Sequence, residues 1–292
     1  MIIAFIGLGN MGGGMAANLA RAGHDVRALD ISEAAVAQAV EAGCTAAADA
    51  RDAVTGADAV VTMLPAGEHV RLVYSEVFPH AAPGTLMIDC STIDVATARD
   101  VISQATQGGF AMIDAPVSGG VAGAVAGTLT FMCGGAADAY QRAEPLLNAM
   151  GQNVFHAGEA GNGQVAKICN NMLLGIHMIG TCEAFNLAAK LGLDAQTFFD
   201  ISSTASGQNW SMTSYCPAPG PVESAPSNRG YQPGFAAAMM LKDLRLAKDA
   251  ASTARAATPM GAQAEALYAL MEAAGEGGLD FSGVMKLIDG SL

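Results

Sequence analysis

Lys167, Asn170 and Asn171 lie together in the segment Gly158-Glu-Ala-Gly161-Asn-Gly163-Gln-Val-Ala-Lys167-Ile-Cys-Asn170-Asn171, one cation and two carboxamides just after a glycine-dense turn. Positions i, i+3 and i+4 share one face of a helix, so a helical reading brings the three groups to one spot. A lysine there can take the proton of an alcohol or steady a developing alkoxide, provided burial lowers its pKa towards neutrality. A carboxamide beside it can hold the hydroxyl in line. Taken alone, K-x-x-N-N is more often a solvated surface lysine than a site. Only five lysines occur in the chain (Lys167, Lys190, Lys242, Lys248, Lys286), so a lysine in such company is less readily surface filler.

A second pattern opens the chain. Met1-Ile-Ile-Ala-Phe-Ile6 is a short apolar run, Gly7-Leu8-Gly9-Asn10-Met11-Gly12 follows, and an alanine-rich helical stretch runs to Arg21 before Gly23. Strand, glycine turn and helix are the context that G-x-G-x-x-G requires. Gly7 permits the tight turn, Gly9 the approach of backbone to a pyrophosphate, and Gly12 the close packing of helix on strand, while the helix N-terminus holds the negative charge. The next strand, Val26-Arg-Ala-Leu29, ends in Asp30, 18 residues beyond Gly12. An acid there binds both ribose hydroxyls and repels a 2′-phosphate, which predicts NAD rather than NADP as cofactor.

Alternating strand and helix signals continue to about residue 160. Strands are expected at 59–64, 85–89, 110–114, 128–132 and 154–155, and helices at 32–42, 68–78, 94–107 and 136–150. That alternation predicts an α/β fold with an N-terminal Rossmann-type, doubly wound, mainly parallel sheet. From Gly163 a helical pattern runs unbroken to about Leu191, followed by helical segments at about 194–204, 235–254, 259–274 and 281–289, with Thr258-Pro259 as an N-cap and first-turn pair. The expected organisation is a dinucleotide-binding domain at 1–162 and an all-α substrate and oligomerisation domain at 163–292, joined through the long helix. Five of the eleven prolines crowd into residues 217–233, composing an irregular, stiff loop suited to a pocket wall. Trp210, the only tryptophan, precedes that loop and is expected in the wall.

Ligands of open α/β sheets bind beyond the carboxyl ends of the strands. The residues found there are Leu64-Pro65, Ser91-Thr92 and Asp114-Ala-Pro-Val-Ser118-Gly119-Gly120. The last offers a hydroxyl and closely spaced backbone N–H groups suited to a small carboxylate.

Composition narrows the function classes. Lys+Arg 14 against Asp+Glu 27 gives a net charge of −13, which opposes binding to nucleic acid and to anionic membrane surfaces. The six cysteines (Cys44, Cys90, Cys133, Cys169, Cys182, Cys216) include no C-x-x-C, the five histidines never pair at ligand spacing, and no metal site is expected. The cysteines read as small apolar core residues. The first apolar run is about six residues, too short for a signal peptide, so a cytoplasmic protein is expected, or a mitochondrial matrix protein in a eukaryote. Residues 172–189 could mimic a membrane span, but His177, Glu183 and Asn186 favour a buried helix.

The set Gly7-x-Gly9-x-x-Gly12, Asp114-Ala-Pro-Val-Ser-Gly-Gly120, Gly161-x-Gly163-x-x-x-Lys167-x-x-Asn-Asn171 and Lys242-Asp243 resembles the β-hydroxyacid dehydrogenase family along essentially the whole chain. Within it, Trp210-Ser-Met-Thr-Ser-Tyr215-Cys-Pro217-Ala-Pro-Gly220 and Asn228-Arg-Gly-Tyr231-Gln-Pro-Gly234-Phe235 are similar to the branch that handles 3-hydroxyisobutyrate rather than to glyoxylate-type or tartronate semialdehyde reductase relatives. The resemblance implies NAD-dependent oxidation of a small 3-hydroxy acid in valine breakdown, by a homodimer or homotetramer. It implies Lys167 as the catalytic group, Ser118, Gly119, Gly120 and Asn171 around the substrate, and Leu64, Pro65, Thr92 and Lys242 near the cofactor. Lys242 also shares a charged helix with Asp243, Arg245, Lys248 and Asp249, which fits a solvated face equally well. No tyrosine heads the Tyr-x-x-x-Lys pair of a short-chain dehydrogenase. The alternatives are a sibling activity on another small hydroxy acid or semialdehyde, and a non-catalytic NAD-binding protein.

Overall fold

The computed structural model describes residues 1–292, which divide into two compact units, Met1–Lys167 and Ile168–Leu292. In the first unit the chain runs β1 (Ile2–Ile6), α1 (Gly12–Arg21), β2 (Asp25–Leu29), α2 (Glu33–Glu41), β3 (Thr45–Ala46), α3 (Ala50–Val54), β4 (Ala59–Thr62), α4 (Gly67–Val77), β5 (Leu86–Asp89), α5 (Val95–Gln107) and β6 (Ala111–Asp114). It continues through β7 (Val117–Ser118), α6 (Gly120–Ala126), β8 (Leu129–Gly135), α7 (Ala137–Met150) and β9 (Gly151–His156). The sheet order is β3-β2-β1-β4-β5-β6-β8-β7, with β9 on β8. Strands β1 to β6 pair in parallel, and the chain reverses only where β8 meets β6 and β7.

Successive side chains of a strand face opposite sides. Ile3 and Phe5 therefore enter one apolar cluster with Met15, Leu19 and Ile113, while Ala4 and Ile6 enter the other with Val60, Tyr74 and Met112. Both faces are covered, which is why the strands read as continuous apolar runs. Helix starts follow side-chain caps: Ser32 accepts from Ala35 N at 3.3 Å and Asp94 from Thr97 N at 2.7 Å.

Several elements differ from expectation. β3 and β7 are two residues each, too short to show alternation, and α3 and α6 are five and seven residues, α6 being built from glycine, alanine and valine with no amphipathic signal. β8 runs three residues beyond the expected 132, because Gly134 and Gly135 continue the strand where glycine reads as a stop. Thr258 precedes Pro259 at the start of its helix as expected, yet its side chain makes no capping hydrogen bond.

α8 (Asn162–Lys190) is a single helix of 29 residues, roughly 43 Å long at 1.5 Å per residue, and the division between the units falls within it, after Lys167. It is long and apolar enough to cross a membrane by length and composition. Its residues Met178, Cys182 and Phe185 lie in the apolar core of the second unit, with Met240, Leu244, Tyr268 and Phe281. That unit continues α9 (Ala195–Ser202), α10 (Trp210–Thr213), α11 (Ala237–Ala254), α12 (Pro259–Ala273) and α13 (Val284–Asp289). The proline-rich stretch is irregular apart from a 3-10 turn at Pro226–Arg229, and holds itself through Ser227 Oγ donating to Cys216 O at 2.7 Å and Tyr231 Oη to Pro217 O at 2.8 Å. All six cysteines are free thiols. Five are buried as expected, but Cys169 is exposed, because two residues along a helix from Lys167 is the opposite side.

Candidate active site

The glycine turn after β1 is fixed by three different steric demands. Gly7 has φ +95°, and a Cβ on it would stand 2.3 Å from Met63 O at the end of β4. A Cβ on Gly12 would stand 1.9 Å from Gly7 O, so α1 cannot start so close to the turn with any other residue. Gly9 has nothing within 4 Å, leaving an open cradle above the backbone. No side chain caps the N-terminus of α1, so its first N–H groups suit a pyrophosphate. Asn10 is exposed beside the cradle and Met11 is half-buried. A cleft of about 470 Å³ is lined by Leu8, Gly9, Asn10, Gly13, Ser32 and Ala35, among others. Asp30 accepts from Leu8 N at 2.6 Å and from Ser32 N at 2.8 Å, which holds its carboxylate at the turn where a ribose would lie. These features fit NAD: open backbone and helix dipole for the pyrophosphate, an acid for the ribose diol.

The loops carrying Leu64, Pro65 and Thr92 are set by one buried acid. Asp89 Oδ1, at the end of β5, accepts from Ser91 Oγ (2.6 Å), Thr62 Oγ1 (2.8 Å) and Ser91 N (3.2 Å), and Ser91 Oγ in turn accepts from Leu64 N at 2.8 Å. Burial pushes the Asp89 carboxyl up to about 6, against the pull of those hydrogen bonds, and Asp114 on the neighbouring strand adds repulsion. The folded chain therefore keeps this proton up to about pH 6, whereas the unfolded chain loses it near 3.8. The group's contribution to stability is full below the lower value, falls as pH rises between the two, and is level above. Against Asp89→Asn, which cannot titrate, the native chain should lose on the order of 3 kcal/mol between about pH 4 and pH 7. Urea midpoints of both proteins at the two pH values read this; a difference independent of pH contradicts it.

Asp114, opposite Asp89 at the end of β6, anchors the helix that carries the lysine. Its Oδ1 accepts from Gly161 N at 2.7 Å and its Oδ2 from Gln164 N at 2.8 Å, so one carboxylate serves the first-turn amides of α8. Burial raises this carboxyl also to about 6, opposed by those backbone hydrogen bonds. Gly161 has φ +82°, and a Cβ on Gly163 would stand 2.3 Å from Met132 O and 2.7 Å from Asp114 Oδ2. The G-x-G before the lysine is thus the signature of a helix start pressed onto a carboxylate. Gln164, fully buried, completes the anchorage by donating to Ser91 O at 2.7 Å and accepting from Ile93 N at 3.0 Å. Lys167 lies three residues further along α8 and is buried.

Ser118 is not in a loop but ends β7, paired with Thr130 on β8. Gly119 (φ +136°) and Gly120 (φ +63°) turn the chain directly into α6, whose N-terminus no side chain caps. The glycines are required by backbone conformation, and their amides open a helix.

In the second unit, Asn171 is buried one turn beyond Lys167 on α8, and its Nδ2 donates to Asp243 Oδ2 at 2.5 Å. Asn170 is mostly exposed and donates to Asn171 Oδ1 at 3.0 Å, so of the two carboxamides expected beside Lys167 only Asn171 is buried. Lys242 Nζ lies 3.5 Å from Asp243 Oδ1, with its side chain 29% exposed. The solvated-face reading of α11 fails at Asp243, which is buried with Met240, Leu241 and Leu244, while Arg245, Lys248 and Asp249 are exposed and Lys242 is intermediate. Asp243 is the polar residue that sequence reasoning passed over as a partner, although the Lys242-Asp243 pair marked the place. Trp210 opens α10, ahead of the proline-rich stretch. It is half exposed and stacks on Tyr215, ring centroids 5.1 Å apart and planes 20° from parallel.

Comparison with known proteins agrees with this geometry. Residues 2–158 match the family model described as the NAD binding domain of 6-phosphogluconate dehydrogenase, and residues 161–288 the one described as the NAD-binding of NADP-dependent 3-hydroxyisobutyrate dehydrogenase. The chain is 51% identical over 290 residues to the NAD-dependent L-serine dehydrogenase of Pseudomonas aeruginosa, covering 98% of this chain and 97% of that one. It is 49% identical over 293 residues to the 3-hydroxyisobutyrate dehydrogenase of the same organism, covering 99% and 98%. The solved structure of Mycobacterium tuberculosis 3-hydroxyisobutyrate dehydrogenase with L-serine superimposes with a TM-score of 0.94 at 48% identity, over 98% of both chains. A doubly wound nucleotide-binding unit followed by a helical unit, matched over nearly the whole chain by these dehydrogenases, defines an NAD-dependent dehydrogenase. The chain belongs to the β-hydroxyacid dehydrogenase family, and its cofactor is NAD.

Proposed function

We propose that the protein oxidises 3-hydroxyisobutyrate to methylmalonate semialdehyde, a step of valine degradation. The observation that carries this reading is the buried Lys167, on a helix whose first turn is fastened by Asp114 and Gln164, one turn before a buried Asn171. Bound NAD supplies the chemistry of a hydride acceptor for the carbon bearing the hydroxyl. Lys167 takes the hydroxyl proton and offsets charge on the oxygen. Asn171, held by Asp243, orients the hydroxyl. Ser118 and the amides of Gly119 and Gly120 hold the carboxylate. Leu64, Pro65, Thr92 and Lys242 bound the cofactor, and Trp210 walls the substituent at C2. The similarity of residues 210–220 and 228–235 to the 3-hydroxyisobutyrate branch supports the choice of acid.

A second reading is favoured by a specific observation: one relative at 51% identity is named for L-serine, and the solved relative was determined with L-serine. Serine and 3-hydroxyisobutyrate share the hydroxymethyl and carboxylate groups and differ at C2, ammonium against methyl. A panel of 3-hydroxy acids assayed with NAD and NADP decides between them. The expected optimum in kcat/KM is 3-hydroxyisobutyrate with NAD, at least about tenfold above L-serine, the scale on which a pocket distinguishes one such group. NADP should be the poorer cofactor because of Asp30. An optimum on L-serine transfers the assignment to the second reading, and preference for NADP overturns the role of Asp30.

A further inference from the structure

Asp280 is fully buried in the second unit and accepts five hydrogen bonds. Its Oδ2 takes Tyr215 Oη at 2.8 Å, Gly234 N at 2.9 Å and Phe235 N at 3.1 Å; its Oδ1 takes Ser282 Oγ at 2.6 Å and Ser282 N at 3.0 Å. The backbone around it is itself zipped to residues 231–237: Asp280 N donates to Tyr231 O, Phe281 N to Phe235 O and Ala237 N to Leu279 O, at 2.8–2.9 Å. The carboxylate is therefore a fixed point. From it an aromatic stack rises to the surface. Phe281 stacks on Tyr215 with centroids 5.3 Å apart, Phe235 meets Phe281 edge-on at 5.6 Å, and Tyr215 stacks under Trp210. Gly234 is glycine because a Cβ there would stand 2.5 Å from Tyr215 Oη. Core packing alone would be served by phenylalanine at 215 and an apolar residue at 280. A buried carboxylate is costly without such donors, and the one side-chain donor reaching it from outside its own turn belongs to the ring beneath Trp210.

We propose that Asp280 is a positioning residue for substrate recognition: through Tyr215 and the Gly234–Phe235 amides it holds Trp210 as a fixed aromatic wall against the C2 substituent of the hydroxy acid. This rests on the function proposed above, but the tie itself is testable without substrate because Trp210 is the only tryptophan. Tyr215→Phe keeps the stacked ring and removes only its bond to Asp280; Asp280→Asn keeps the volume and weakens the acceptor; Ser282→Ala removes a bond to the same carboxylate that does not lead to the wall. In Tyr215→Phe, Trp210 emission should shift to the red and acrylamide quenching should increase. KM for 3-hydroxyisobutyrate should rise about five- to tenfold, less than the full loss of one hydrogen bond to a charged group because the ring still stacks under Trp210, with kcat and NAD affinity within about twofold of native. Asp280→Asn should act in the same direction, and Ser282→Ala should lower stability without moving KM. Unchanged emission in Tyr215→Phe overturns the tie, whether or not Asp280→Asn folds. Shifted emission with unchanged KM overturns the wall. A native protein inactive on every 3-hydroxy acid overturns the proposed function instead, while the emission arm still decides the tie.

Discussion

Asp114→Ala is expected to destabilise the folded chain by about 2–4 kcal/mol and to depress kcat while leaving NAD affinity nearly intact. Two buried amides, Gly161 N and Gln164 N, donate to this one carboxylate. Each is a charge-assisted hydrogen bond, and alanine leaves both donors without a partner. The relief of burying a carboxyl already pushed up to about 6 offsets part of that loss. Turnover suffers because Lys167 rides on the turn that Asp114 fastens, and a displacement of about 1 Å at a reacting group can cost on the order of 10² in rate. NAD affinity is spared because the glycine turn and Asp30 stand at the ends of β1 and β2, on other strands. Asp114→Asn, which keeps one acceptor oxygen, should fall between native and alanine. Urea unfolding, NAD titration and steady-state turnover of the three proteins check the expectation; native stability together with native kcat in Asp114→Ala would show that the anchor is dispensable.

The parts of the molecule that were legible in the sequence are those governed by local rules. Gly7, Gly9 and Gly12 answer to steric demands within one turn, and Asp30 to the length of one helix and strand, so the nucleotide turn reads directly. α8 is legible because 29 residues without a proline leave no other regular structure. The supports of the site were not legible, because their partners lie far apart in the chain. Asn171 and Asp243 are separated by 72 residues, Gln164 and Ser91 by 73, and Gly161 and Asp114 by 47. Periodicity carries no information about such pairings. Spacing alone did not separate Asn170 from Asn171: i+3 and i+4 both neighbour Lys167, but only the latter falls on the buried side. The short helix that Trp210 opens was not legible because four residues show no period; Asn209, which accepts from Met212 N at 3.1 Å, was its one local sign.

Lys167→Ala carries the largest expected effect: a folded protein that binds NAD and loses about 10²–10⁴ in kcat, the span associated with removing a general acid–base group. Losing charge stabilisation of the oxygen as the proton leaves adds to this. The loss should fall on kcat rather than on KM alone, since the interaction strengthens towards the transition state. Folding should survive because Asp114 and Gln164 hold the start of α8 without help from the lysine. Lys167→Arg should not restore turnover, because a guanidinium stays protonated and cannot accept a proton.

The most direct test is kcat on 3-hydroxyisobutyrate at saturating NAD for Lys167→Ala, with NAD affinity titrated on the same preparation. NAD affinity within about threefold of native and kcat down by at least about 10² is the predicted result. A folded, NAD-binding variant with near-native kcat would contradict the central claim and return Lys167 to a structural role.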